Sequence, residues 1–323
     1  MTSHFNQRGR NLVFKGLHLK LKDLRKKAEE EGWKNRYLFK DHIPAYPRPE
    51  FHVSHLKHDT DQAGLRGIRR DGGFRNPADG SLLWWSLVVG SDEIRSAERR
   101  LLETTYPDRT EEQAQKQQSF LEKFATSPVF MESSRLGSYR FTFPLEEVLK
   151  AYRDQFCSGA QPVMRLFRTI LYKQEVMYAV LVHSPANQQL FSDLPLLTDD
   201  PNSVCTYRDG HFIWRSEAMC ETHRYKLVHR QYEEQMVVRE ACKPHQFYVW
   251  DNVGVVLHVD RQVLQFDAGR LRENLTFCDK GPVTVKGSPH DPFVGAAEIV
   301  KELWPNCLSP LKRAVCLSFY TFI

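Results

Sequence analysis

Phe51-His52-Val53-Ser54, followed about twenty residues later by Gly72-Gly73-Phe74-Arg75, is the stretch on which the reading of this chain turns. Asp59 or Thr60 can cap a helix here, and Leu65 and Ile68 share one of its faces. The expectation is a strand ending in His-x-Ser, then a helix, then a glycine turn. Immediately before it, Pro44, Pro47 and Pro49 stiffen the chain and mark a boundary near residue 45. Residues 1–45 read as a polar, basic extension with one short helical pattern ending near Gly32.

After the glycine turn, Ser81–Val89 (SLLWWSLVV) reads as a buried strand. Ser91 opens a helix with Asp92 and Glu93 in its first turn and Ile94, Ala97, Leu101 and Leu102 on one face. Thr110-Glu111-Glu112-Gln113 is a capping-box pattern whose helix would pack through Ala114, Phe120, Leu121 and Phe124. Tyr139–Phe143 alternates as a half-buried strand does, and Pro144 opens a helix carrying Leu145, Val148, Leu149 and Tyr152. Ile170–Val182 contains the longest apolar strand, with shorter ones at Gly210–Trp214, Gln235–Val238 and Phe247–Trp250. Val253–Val259 and Gln262–Phe266 suggest a hairpin or meander, and Asp291-Pro292 starts a last helix stopped by Pro305. Strands without regular βαβ alternation predict an α+β fold of mainly antiparallel sheets. The expected division is residues 1–45 as an extension, 46–250 as the main domain, and 251–323 as a hairpin and helix extension.

Composition limits what this architecture is for. The 323 residues, 41% hydrophobic and 12% aromatic, suffice for a full core. No segment approaches the ~20 apolar residues of a membrane span, and the N-terminus lacks an apolar signal region, so a soluble, unsecreted protein is expected. Seven scattered cysteines with no Cys-x-x-Cys pair argue for reduced thiols in cytosol or nucleus. The net charge of +5 is mild. The basic run 20–27 reads as a solvated helix face, with nucleic acid as its alternative partner. Arg66, Arg69, Arg70 and Arg75 are placed to meet a pyrophosphate. Gly-x-Gly-x-x-Gly, Walker, Gly-x-Ser-x-Gly and His-Glu-x-x-His patterns are missing, and His52, His55 and His58 cross a strand junction without nearby cysteines, so no metal is expected.

His52-x-Ser54, the glycine turn, Met177-Tyr178-Ala179-Val180-Leu181-Val182, then Glu234-Gln235-Met236-Val237-Val238, Pro244 and Phe247-Tyr248-Val249-Trp250 resemble, in order and approximate spacing, the NAD pocket of poly(ADP-ribose) polymerase-like ADP-ribosyltransferases. The whole chain is also similar to the interferon-inducible antiviral family of fish known as grass carp reovirus-induced proteins of the second type. LLWWSLVV, FATSPVF at 124–130, LGSYRFTFPLEEVL at 136–149 and LYKQEVMYAVLVHSP at 171–185 carry that resemblance.

The resemblance implies an ADP-ribosyltransferase-like split β-sandwich with flanking helices, NAD as substrate, and a cytoplasmic place in innate antiviral defence. It implies that His52 bonds the adenosine ribose, Ser54 the nicotinamide amide, and Gly73 the turn beside them. Glu234 would stabilise the oxocarbenium-like charge that builds as the nicotinamide–ribose bond breaks, with Glu233 and Glu175 as competing carboxylates. The family's stacking tyrosine falls here on Trp84 or Trp85, with Tyr139 as a competing alignment; tryptophan stacks but lacks the phenol. Two functions follow: a mono-ADP-ribosyltransferase acting on protein, and a catalytically inactive pseudoenzyme serving as an interaction module in innate immune signalling. A third is an RNA-binding effector using the basic N-terminal segment.

Overall fold

The structure is a computed structural model that describes residues 1–6, 9–33, 38–39, 48–76, 80–121, 129–172, 176–199, 203–216, 219–220, 223–230, 233–241, 247–249, 251–281 and 287–314, with the backbone alone for 6, 9, 219–220, 223–230, 233–241, 247–249 and 251. In chain order come β1 (Thr2–Asn6), β2 (Gly9–Lys15), α1 (Leu21–Glu30), β3 (Glu50–Val53), β4 (His55–Thr60), α2 (Gln62–Asp71), β5 (Gly73–Phe74), β6 (Leu82–Val88), α3 (Ser91–Thr105) and α4 (Glu111–Lys116). They are followed by β7 (Tyr139–Pro144), α5 (Leu145–Phe156), β8 (Val163–Leu171), β9 (Val176–His183), β10 (Cys205–Arg208), β11 (His211–Arg215), β12 (Met219–Cys220), β13 (His223–Arg230), β14 (Glu233–Ala241) and β15 (Phe247–Val249). The last are β16 (Asp251–His258), β17 (Leu264–Gln265), α6 (Ala268–Glu273), β18 (Leu275–Phe277), α7 (Phe293–Leu303) and β19 (Lys312–Arg313).

A ten-stranded sheet in the order β1-β2-β8-β9-β16-β6-β4-β7-β18-β19 organises the chain. It is antiparallel except at β9–β16 and β18–β19, and with the helices it makes an α+β fold. β9 and β16 lie at its middle and are apolar on both faces, because neighbouring strands and side chains cover them on either side. β6 instead alternates: Leu83, Trp85 and Leu87 enter the main core, while Leu82, Trp84, Ser86 and Val88 take the other face. A smaller sheet, β10-β11-β3, stands beside it.

Several expectations are corrected. Residues 55–60 form β4, since a strand slot stands open between β6 and β7; the helix therefore starts later, capped by Asp61, whose carboxylate accepts the Gly64 N–H at 2.9 Å. Its end is the Gly72 turn at φ 69°. The apolar run 170–182 divides into β8 and β9, paired antiparallel. No hairpin joins 253–259 to 262–266: β16 fills the sheet centre between β9 and β6, and β17 pairs with β5. The sheet also takes β1 and β2 from residues 1–45 and β18 and β19 from beyond 251, so strands from all three expected stretches share one scaffold. The Thr110 capping box forms, but α4 ends at Lys116. Phe120 and Leu121 are buried beyond it because their backbone N–H groups donate to the buried Glu98 carboxylate; Phe124 lies outside the described residues.

One polar cluster sits under the sheet where β4 meets β7. Arg140 grips both carboxylate oxygens of Asp59, at 2.7 and 2.9 Å, and reaches the Met131 and Ser133 carbonyls. Burial alone would raise the Asp59 carboxyl; the Arg140 charge and hydrogen bonds outweigh it and bring it to about 2. Burial together with Arg140 pushes the Lys57 ammonium down to about 7.

These shifts have opposite consequences for stability. As pH falls through the range from about 4 towards 2, the unfolded chain takes up a proton that folded Asp59 refuses, so stability is lost there. Between pH 7 and the ordinary lysine value of 10.5, unfolded Lys57 holds a proton that the folded chain does not, so stability rises with pH. Denaturant titrations at a series of pH values should show that rise, and Lys57→Met should flatten it while raising stability at pH 7.

Candidate functional site

Ser54 alone separates β3 from β4, so the chain passes from the small sheet to the large one within a single residue. Beside this junction opens a groove of about 930 Å³. Its walls are one side of α5 with Glu146, Lys150 and Arg153, then Gln161, the short 3-10 turn with Thr198, and the β10–β11 hairpin with Tyr207, Asp209 and His211. The hairpin turns through Asp209 and Gly210, both at positive φ (53° and 79°), as a two-residue turn of primed type requires.

The groove carries groups of both charges on a wall that is otherwise largely apolar, with Leu145, Leu149, Met164 and Leu197 among its lining. The Ser54 hydroxyl lies 3.0 Å from His55 Nδ1, and partial desolvation lowers the His55 imidazole below its ordinary value. Lys150 and Arg153 share the Asp154 carboxylate at 2.6 and 3.3 Å. Burial raises the Tyr207 phenol, and the nearby Glu146 charge adds to the rise. The His211 ring is held by its backbone, with Nδ1 2.7 Å from the Asp209 carbonyl. Two cations and two carboxylates, Glu146 and Asp209, thus face one space, with Asp209 also 3.6 Å from the Arg208 guanidinium.

The residues singled out from the sequence divide among four places. Ser54 lines the groove, and His52 stands next to it, its ring 6.4 Å from that of His211 and its Nε2 3.7 Å from a Glu50 carboxylate oxygen. The His52 N–H donates to Glu93 of α3. Trp84 and Trp85 are neighbours on a strand and so project from opposite faces of the sheet. Trp84 lies across Gly254, where a Cβ would come within 3.3 Å of the indole, and carries the Arg168 guanidinium 4.9 Å over its ring. Trp85 is buried against Phe74, His58 and Phe143. Both indoles are therefore occupied as packing groups, which corrects the expectation that either stands free to stack a ligand.

Tyr139 is at the far end of β4 and β7 from the groove: it pairs with Thr60, whereas Pro144 pairs with His55. At about 3.4 Å per residue the strand separates the two ends by roughly 17 Å. The Tyr139 hydroxyl donates to Asp291 at 2.9 Å, and burial with that bond raises its phenol. Gly73 belongs to the β5–β17 ladder, where a Cβ would overlap the Leu264 carbonyl oxygen. Its role is close backbone approach, which is a correction to its assignment beside a ligand. The arginines after it are likewise structural: Arg66 pairs with Glu302, Arg69 with the Leu303 carbonyl and the Trp304 ring, and Arg70 and Arg75 with Asp71. They fasten α2 to α7 and to its own C-terminal turn instead of flanking a pocket.

Glu234 pairs in register with His229 at the start of β14. Its side chain, that of Glu233, and the whole of Glu175 and Pro244 lie outside the described residues. Among the described residues no three His, Cys, Asp or Glu side chains gather as metal ligands do, and no helix is long and apolar enough to cross a membrane. No family model, curated protein or solved structure matches the chain.

Lys150, Arg153, Gln161, Thr198, Tyr207 and His211 were not singled out by sequence reasoning. Asp209-Gly210 between two short alternating runs is a hairpin signal that places His211 and Tyr207 together; nothing local to Lys150, Arg153, Gln161 or Thr198 announces the groove. Gly73→Ala is expected to cost about 1–3 kcal/mol by overpacking against Leu264. A thermal melt that leaves the midpoint unchanged would contradict the structural assignment of this glycine.

Proposed function

We propose that this chain binds the ADP-ribose part of NAD, or ADP-ribose itself, in the groove beside Ser54, and that it works as a non-catalytic interaction module of innate antiviral defence in the cytoplasm, like the fish family it resembles. The fold is then read as an ADP-ribosyltransferase-like split β-sandwich whose pocket has kept binding groups without the stacking aromatic. The observation that carries this reading is the meeting of Lys150 and Arg153 with Glu146 and Asp209 around one space of about 930 Å³. Cations suit a pyrophosphate, and carboxylates suit the hydroxyls of a ribose. Ser54, Gln161 and Thr198 add donors and acceptors between them, and the Tyr207 ring offers an apolar wall.

Calorimetric titration of the full chain with ADP-ribose and with NAD tests it. The expected outcome is binding of both, weakened about tenfold or more in Arg153→Ala, with NAD left intact after incubation. No binding at millimolar ligand removes the reading.

The transferase reading keeps one specific support, the strand-heading Glu234 on β14. Labelled NAD should then modify protein in the wild type and not in Glu234→Gln. Labelling that survives the substitution takes Glu234 out of the chemistry, and no labelling in either leaves the chain a binding module.

A further inference from the structure

The open edges of a β-sheet are where another chain's strand can pair, and folded proteins guard them with charge, shortness or covering side chains. Three of the described edges are compared here. At one end of the ten-stranded sheet, β19 has two residues, Lys312 and Arg313, both charged and exposed, with Arg313 held by Asp279 at 3.0 Å. The outer edge of β3 in the small sheet is covered from α3: Glu93 accepts the His52 N–H, and Arg100 donates to the Glu50 carbonyl at 2.7 Å.

The third edge, β1, carries no charge of its own; Arg10 of β2 reaches it, its Nε donating to the Ser3 hydroxyl at 3.3 Å. Thr2-Ser3-His4-Phe5-Asn6 contains no proline and no Asp, Glu, Lys or Arg. It runs in unbroken antiparallel register with β2, from Thr2 opposite Val13 to Asn6 opposite Gly9. Residues Thr2 to Phe5 are exposed on both faces, the Phe5 ring 80% exposed. Among the described residues no strand pairs with its outer side.

We propose that β1 is a homotypic docking edge, to which a second copy of this chain adds its own β1 antiparallel across a two-fold axis, joining the two ten-stranded sheets. Charge selects this occupant. An uncharged strand meets its own copy without repulsion, whereas two β19 edges would bring Lys312 and Arg313 against their own kind, and β19 has too few residues to match β1. A two-fold pairing also closes on itself, consuming both β1 edges and leaving none for a filament. The register that pairs all five residues sets His4 opposite its own copy. Ser3 then faces the partner's Phe5 on one side of the sheet, so each exposed ring gains a neighbour.

Sedimentation velocity of the full chain from about 1 μM to about 1 mM should show a reversible monomer–dimer equilibrium. The double variant Ser3→Lys with Phe5→Lys should remain monomeric across that range, with an unchanged circular dichroism spectrum and melting temperature. In a separate variant, His4→Cys, mild oxidation should yield a dimer whose disulfide maps to position 4 in both chains, since directly opposed strand residues fall within disulfide reach. A wild-type chain that is monomeric throughout, a dimer that the lysine variant retains, or an oxidised His4→Cys sample without the 4–4 link would each overturn the proposal. The cysteine arm reads the edge directly even where the lysines unfold the hairpin.

Discussion

The register in which β4 is held between β6 and β7 governs this molecule. It is fixed on one side by Leu56 opposite Leu87 and on the other by Asp59 opposite Arg140, whose buried ion pair is satisfied at both carboxylate oxygens. A slip by one residue would turn Lys57 and Asp59 into the aromatic core and Leu56 and His58 out of it. It would also leave Arg140 buried without its counter-charge, a loss of several kcal/mol by the usual cost of breaking a buried pair. With that register set, the positions of the other functional candidates follow. Ser54 and His55 must emerge at the groove end of the strand, Tyr139 must sit at the opposite end, and Trp84 and Trp85 must look to opposite faces of β6.

The groove is consequently a product of the junction between two sheets. Because the chain crosses at Ser54 from β3, paired with β11, to β4 in the large sheet, the β10–β11 hairpin lies beside α5, and the side chains of both line the gap. The same junction keeps β3 shielded, with α3 laid along its free edge. The charged groups of the groove are thus carried by a helix and a tight turn, the elements on which the proposed binding would rest. The opposite end of the sheet is built differently: β1 is neutral and regular, and suits assembly with a like strand.

Much of the scaffold was legible in the sequence, for identifiable reasons. The apolar run 81–89 marked β6, the alternation of Tyr139–Phe143 marked β7, acidic residues in the first turn marked α3, and Pro144 marked the opening of α5, since these signals are local. What failed was whatever depended on partners distant in sequence. Residues 55–60 carry two charges and two histidines and look unlike a central strand, yet Arg140, 81 positions away from Asp59, makes that strand tenable. Val253–Val259 looked like one arm of a hairpin because its neighbours in space, β9 and β6, are far away along the chain. At the site, Ser54 lines the groove and His52 lies beside it. Trp84, Trp85, Tyr139 and Gly73 were grouped with them by order along the chain, and strand alternation and length then put them elsewhere.

The central claim is that ligand-binding chemistry gathers at the Ser54 junction and not around the tryptophans of β6. Photo-crosslinking with an azido-adenine analogue of ADP-ribose, followed by mass-spectrometric mapping of the labelled peptides, tests it most directly. The account predicts label on the stretches that carry residues 146–164 and 196–211, competed away by unlabelled ADP-ribose. Competed label confined to the peptides bearing Trp84 and Trp85 or Tyr139 would contradict it.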